Sequence, residues 1–124
     1  VDPAAAADAS LLGGERYAAF RERVVAALER LVAEPDWDTL LLVCHGGTNA
    51  MILCWVLGGE LDAFGRIEQD PCCLNVIDLD VDPESGALLR RLLRAVNVTA
   101  HDPVKAAVEL TAWETIARSL LGGG

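Results

Sequence analysis

The stretch that decides the fold is Thr39-Leu40-Leu41-Leu42-Val43-Cys44-His45-Gly46-Gly47-Thr48-Asn49, followed by Ala50-Met51-Ile52-Leu53-Cys54-Trp55-Val56-Leu57 and the pair Gly58-Gly59. Residues 39–44 form an apolar run without alternation, which suits a strand buried on both faces of a parallel sheet. The glycines after His45 make a tight turn. The second apolar run, closed by Gly58-Gly59, reads as a buried helix. A buried strand, a glycine turn and a buried helix make an α/β unit.

Upstream, residues 15–33 predict an amphipathic helix. Tyr17, Phe20, Val24, Ala27, Leu28 and Leu31 follow steps of three and four and share one face, and Pro35 follows its end. Residues 1–13 are Ala-rich and read as a mobile lead-in. Downstream, residues 60–71 suit a short helix and loop ending at Pro71. Residues 74–81 alternate, with Ile77, Leu79 and Val81 opposite Asp78 and Asp80, as in a half-exposed strand. A turn follows at Asp82-Pro83-Glu84-Ser85-Gly86. For residues 88–96 two readings stand. The spacing of Leu88, Leu89, Leu92, Leu93 and Val96 favours a helix, whereas the hairpin-like turn before them favours a strand. Asp102-Pro103 predicts a helix over 103–109. The capping box at Thr111 and Glu114 predicts another over 112–121. Residues 122–124 are expected to be a disordered tail, so a single domain covers 14–121.

The chain has 124 residues, 52% of them hydrophobic, which excludes disorder for its bulk. No apolar stretch approaches the roughly 20 residues of a bilayer span, so no membrane association is expected. With 19 acidic and 10 basic residues the net charge is −9, which disfavours nucleic acid as a partner. Acidity of this kind does not exclude a single phosphate, held by local Arg, His and backbone N–H groups. The chain opens on Val1 with no basic and apolar leader, so no signal peptide is expected. Such an opening reads as a processed product or a fragment. Cys44, Cys54, Cys72 and Cys73 show no zinc or redox spacing. They are expected to be reduced structural thiols in a cytoplasmic protein, with no metal and no cofactor.

His45-Gly46-Gly47 is the candidate site. It stands where an apolar run ends and a helix begins, the position at which open α/β sheets bind ligands. Gly46 and Gly47 allow close backbone approach, the first helical amides donate to anions, and His45 can hydrogen-bond a phosphate oxygen. The alternative is a histidine that merely caps a tight turn. Elsewhere the pattern is blander. His101 precedes a helix cap, Asp78 and Asp80 read as the wet face of a strand, and Cys72-Cys73 has no identifiable activating base. Ser10, Ser85 and Ser119 lack a Gly-x-Ser-x-Gly setting.

The segment from Leu40 to Asn49 resembles the second histidine motif of the histidine phosphatase superfamily, the phosphoglycerate-mutase-like enzymes. Three further elements follow the same order. They are Gly14-Glu15 with the helix carrying Phe20 and Arg23, Cys72-Cys73-Leu74-Asn75-Val76, and Asn97-Val98-Thr99-Ala100-His101. Together they span residues 14–101. The resemblance implies an α/β fold with a mixed, mostly parallel sheet flanked by helices, and it tips 88–96 towards a strand paired with 74–81. It also implies phosphoryl transfer from a small-molecule phosphomonoester through a phosphohistidine, without metal. The nucleophile of such enzymes lies in an Arg-His-Gly-x-Thr motif, which this sequence does not contain, and their general acid also precedes the matched part. The chain therefore reads as the C-terminal half. His45 is implied as the catalytic pocket histidine that binds and polarises phosphate, Gly46 as a backbone N–H donor, and Thr48 and Asn49 as the substrate rim. Glu15 is not assigned as general acid.

Half a sheet leaves an apolar strand without neighbours. The expected partner is the N-terminal half of the same protein, with a homodimer as second choice. A non-catalytic phosphate- or partner-binding module without the nucleophile is the alternative function, and a purely structural α/β interaction domain a third.

Overall fold

The structure, a computed structural model, describes residues 10, 13–34, 36–59, 61–105 and 110–122. The expectations for the lead-in and tail fall largely outside these residues, as does Pro35.

Helix α1 spans Tyr17–Ala33 and buries Val24 and Leu28, with Tyr17 and Phe20 packed beside them. This is the face set by the spacing of three and four. Arg23 stays on the wet side. Its guanidinium lies 5.4 Å from the centre of the Phe20 ring and donates to both oxygens of Glu15, at 3.2 and 2.8 Å. That pairing holds the Glu15 carboxyl below its ordinary range. Beyond the helix, the Trp37 indole N–H donates to the Leu31 carbonyl at 2.9 Å and turns the chain back.

Helix α2 spans Gly46–Leu57 and is the centre of the molecule. Every residue from Ala50 to Val56 is buried, as expected of a helix that is apolar all round. It ends at Gly58 in the left-handed conformation (φ 64°), where the Gly58 and Gly59 amides return to the carbonyls of Cys54 and Trp55. A 3-10 helix, Leu61–Arg66, lays Phe64 against this core.

Strands β1 (Leu74–Val81) and β2 (Leu88–Val98) form an antiparallel hairpin. Ile77, Leu79, Leu88 and Leu93 face the core. On the wet side Arg90 pairs with Asp80 at 2.7 Å and Arg94 pairs with Asp78. Residues 88–98 are therefore strand, against the periodicity. Register irregularities between Leu74 and Ile77 and between Asp80 and Val81 break strict alternation, so apolar residues fall at near-helical spacing along a strand. The turn is fastened by the Asp82 carboxylate, which accepts from the Glu84 and Ser85 amides. Gly86 supplies the positive φ of 72°.

Helix α3 spans Ala112–Leu121 behind the predicted capping box, in which Thr111 and Glu114 bond reciprocally.

Three expectations need correction. The sheet among the described residues is two-stranded and antiparallel, not mostly parallel. Residues 39–44, expected as a doubly buried strand, carry no regular structure. Leu41 and Val43 are 77% and 90% exposed, and Leu40 and Leu42 are 39% and 40% exposed. A parallel strand is held by neighbours on both edges and layers on both faces, and the described residues supply neither. In addition, Asp102 caps only a turn, its carboxylate accepting from the Lys105 amide at 3.1 Å. Residues 103–105 are not helical, and 106–109 lie outside the described residues. No helix among the described residues is long and apolar enough to cross a membrane.

Candidate functional site

His45 is the N-cap of α2, exposed, with φ −69° and ψ 154°. Its side chain makes no capping bond. The first helical bond is Asn49 N–H to the His45 carbonyl, at 3.0 Å. The amides of Gly46, Gly47 and Thr48 therefore have no acceptor within the helix. Three outward N–H groups, the positive end of a helix dipole and an exposed imidazole stand within one turn, an arrangement suited to an anion. Thr48 and Asn49 complete that turn and are half-buried. All the candidate residues are thus together because they are contiguous on a helix locked into the core.

The sequence reading missed what surrounds this turn. A Cβ at Gly46 would lie 3.5 Å from the Gln69 Cβ and 3.6 Å from its carbonyl oxygen. One at Gly47 would lie 3.5 Å from Cζ2 of Trp113. Trp113, on α3, also packs near Phe64, with ring centres 6.4 Å apart. Glu68 anchors α3 by accepting from the Ala112 amide at 3.1 Å. The capping box locates α3 in the sequence, but nothing in its spacing reports that Trp113 reaches Gly47.

Next to Gln69 lies an amide network. Asn75 exchanges two hydrogen bonds with Gln69, at 3.0 and 2.7 Å, and its Oδ1 accepts the Asn97 N–H at 2.9 Å. The Asn97 side chain accepts from the Asp70 N–H at 2.8 Å and donates to the Asp70 carboxylate at 2.9 Å. Lys105 pairs with that carboxylate and donates to the Asn97 carbonyl at 3.0 Å. Asn97 adopts φ 51°, a left-handed conformation that Asn tolerates better than most side chains.

Lys105, then Asn97, holds the Asp70 carboxyl below its ordinary range. A depressed carboxylate contributes its stability in full above the unfolded value, about 3.9, and loses it as pH falls through the lower folded value. Asp70→Asn is therefore expected to flatten the acid side of the stability–pH curve below about pH 4. Urea denaturation at a series of acid pH values measures this. An unchanged acid slope would show that the pair does not govern that limb.

The remaining candidates stay apart from the site. Cys54 is buried in the core, Cys72 is exposed, and the half-buried Cys73 thiol donates to Gln69 Oε1 at 3.3 Å. Burial pushes the Cys73 thiol up, away from thiolate chemistry. His101 is exposed in a turn. Among the described residues no group of His, Cys, Asp and Glu is placed to hold a metal. A groove of about 540 Å³ opens at the far end of α2, where Arg91 lies 4.7 Å from the centre of the Trp55 ring.

No curated protein and no solved structure matches the chain. The profile of the histidine phosphatase superfamily (branch 1) matches residues 2–91, which include the His45 turn and the Cys72–Val76 segment, while Asn97–His101 lies beyond the match. With most of its length matched, His45 and its glycines included, the chain belongs to the histidine phosphatase superfamily.

Proposed function

We propose that this chain is the pocket-bearing part of a histidine phosphatase or phosphoglycerate-mutase-type enzyme acting on small phosphomonoesters. The observation that carries the reading is the turn at His45, where free amides and an exposed imidazole meet in a chain of this superfamily. In the reaction, a nucleophilic histidine from an Arg-His-Gly-x-Thr segment N-terminal to this one attacks phosphorus. The P–O bond to the alcohol breaks, and the alkoxide takes a proton from a general acid on that same segment. A phosphohistidine remains. Water, or a second hydroxyl in a mutase, then gives its proton to the spent general acid and attacks phosphorus as the P–N bond breaks, which restores both the acid and the histidine. His45 donates an N–H to a non-bridging phosphate oxygen, and the Gly46 amide donates to another. Both strengthen as charge develops on those oxygens. Thr48 and Asn49 border the substrate. The chemistry uses no metal, and the setting is cytoplasmic.

The exposed residues 39–44 support the N-terminal segment as the partner that completes the sheet, and a homodimer is the second choice. The test is incubation of the full-length protein with a radiolabelled phosphomonoester. An acid-labile, alkali-stable phosphoenzyme is expected. Its absence, together with absent hydrolysis, would sink the enzymatic reading. One observation favours a second reading. The two histidines of this sequence, His45 and His101, both lie outside any Arg-His-Gly. If the full-length protein also lacks that motif yet binds inorganic phosphate, the chain is a phosphate-binding module without catalysis.

A further inference from the structure

We infer that the groove at the C-terminal end of α2 is a seat for a small monocarboxylate with an apolar body. Arg91 takes the carboxylate, and the apolar sides of the groove take the body. The seat lies at the opposite end of α2 from His45, and it goes beyond the phosphate reading.

Adjacent residues of a strand point to opposite faces. In Leu88-Leu89-Arg90-Arg91 the two arginines therefore separate. Arg90 is in register with Asp80 and bridges to it on the wet face at 2.7 Å. Arg91 is in register with Leu79, and directly opposed residues of an antiparallel pair share a face. Leu79 packs against the core, so Arg91 stands on the core side of the hairpin, at its rim.

The guanidinium of Arg91 is held on one face only. It lies over the Trp55 ring, 4.7 Å from its centre, and Trp55 itself is 7% exposed. Lying over an indole uses the flat face of a guanidinium and leaves its N–H edges free. Arg23, Arg90, Arg94 and Lys105 each have a carboxylate partner. Among the described residues Arg91 has none.

The surroundings define what that free edge can take. The groove holds about 540 Å³, within the usual range of small-molecule sites. Its sides come from three elements: Glu29 and Val32 of α1, Trp55 and Leu57 of α2, and Leu89 with Arg91 of β2. Leu57 and Leu89 are 58% and 67% exposed, so apolar surface stands in water beside the cation. This pairing matches a ligand with one anionic end and an apolar remainder. A single guanidinium supplies one bidentate fork, the geometry of a carboxylate. Glu29 on the α1 side opposes further negative charge, which selects a monocarboxylate over a phosphate dianion.

The test titrates octanoate into the full-length protein and follows both heat and the Trp55 indole N–H resonance. Saturable binding with a Kd below about 1 mM is expected, with the Trp55 resonance shifting. Octanol has the body without the charge and should bind at least about tenfold more weakly. Acetate has the charge without the body and should bind more weakly by a similar factor. Arg91→Gln should weaken octanoate at least about tenfold, the scale of a lost charge-assisted hydrogen bond. Glu29→Gln should strengthen it about twofold or more by removing a like charge. Should Arg91→Gln not fold, Leu89→Asp, at an exposed position of the groove, takes its place and should abolish saturation.

Absence of saturable binding would overturn the inference. So would octanol binding as tightly as octanoate, or unchanged octanoate binding in Arg91→Gln or its substitute. Weaker binding in Glu29→Gln would also overturn it, because the groove would then be recognising a cation.

Discussion

His45→Ala is expected to lower phosphomonoester turnover in the full-length protein by at least about a hundredfold, the usual scale for removing one preorganised donor from a transition state. His45 is exposed and makes no capping bond, so its loss leaves α2 and the core intact. The effect should therefore appear in kcat without a matching change in melting temperature. The first helical bond, from Asn49 to the His45 carbonyl, is backbone and survives the substitution. Steady-state kinetics and a thermal melt on the same preparation check both halves. Near-parental turnover would remove His45 from the mechanism and leave the Gly46 and Gly47 amides as the anion site. Equal losses of activity and stability would instead mark His45 as a structural cap.

The largest effect on stability is expected from Met51→Ala, at about 2–5 kcal/mol. Met51 is fully buried on a helix whose neighbours from Ala50 to Val56 are also buried. Helix α2 packs against α1, the 3-10 helix and β2, so a void at its centre cannot be closed by moving one neighbour. The destabilisation is a large share of the 5–15 kcal/mol typical of a domain. Urea denaturation, with the midpoint lowered and the slope retained, is the measurement. A loss below about 1 kcal/mol would show that the site collapses freely and that α2 is less central than its burial indicates.

Much of this fold was legible in the sequence because its signals are local. The apolar stripe on α1, the all-apolar α2 ended by Gly58, the alternation of β1 and the Thr111–Glu114 capping box each depend on neighbours within one or two turns. The stretch 88–98 was harder. Its leucine spacing is helical, the turn before it and the family resemblance point to a strand, and the pairing with β1 that decides between them is information held in another segment. The run at 39–44 misled for the same reason. Its composition is written for a covered strand, but composition cannot say who provides the cover. At the candidate site, His45 to Asn49 could be read directly because the residues are contiguous. Gln69, Asn75, Asn97 and Trp113 could not be assigned their places. They come from four segments, and nothing in their local pattern reveals that Asn75 links Gln69 to Asn97 or that Trp113 lies beside Gly47.

The alternating exposure of residues 40–43 sets a size requirement on whatever completes this surface. Side chains of a strand point to both sides in turn, and here Leu41 and Val43 stand nearly bare while Leu40 and Leu42 are partly shielded by the chain itself. A lone extended peptide laid along the backbone would satisfy its N–H and C=O groups yet leave Leu41 and Val43 in water. Shielding them takes a second layer above the new strand. The complement must therefore be a folded body carrying both ribbon and roof, which selects against short linear segments as stable occupants.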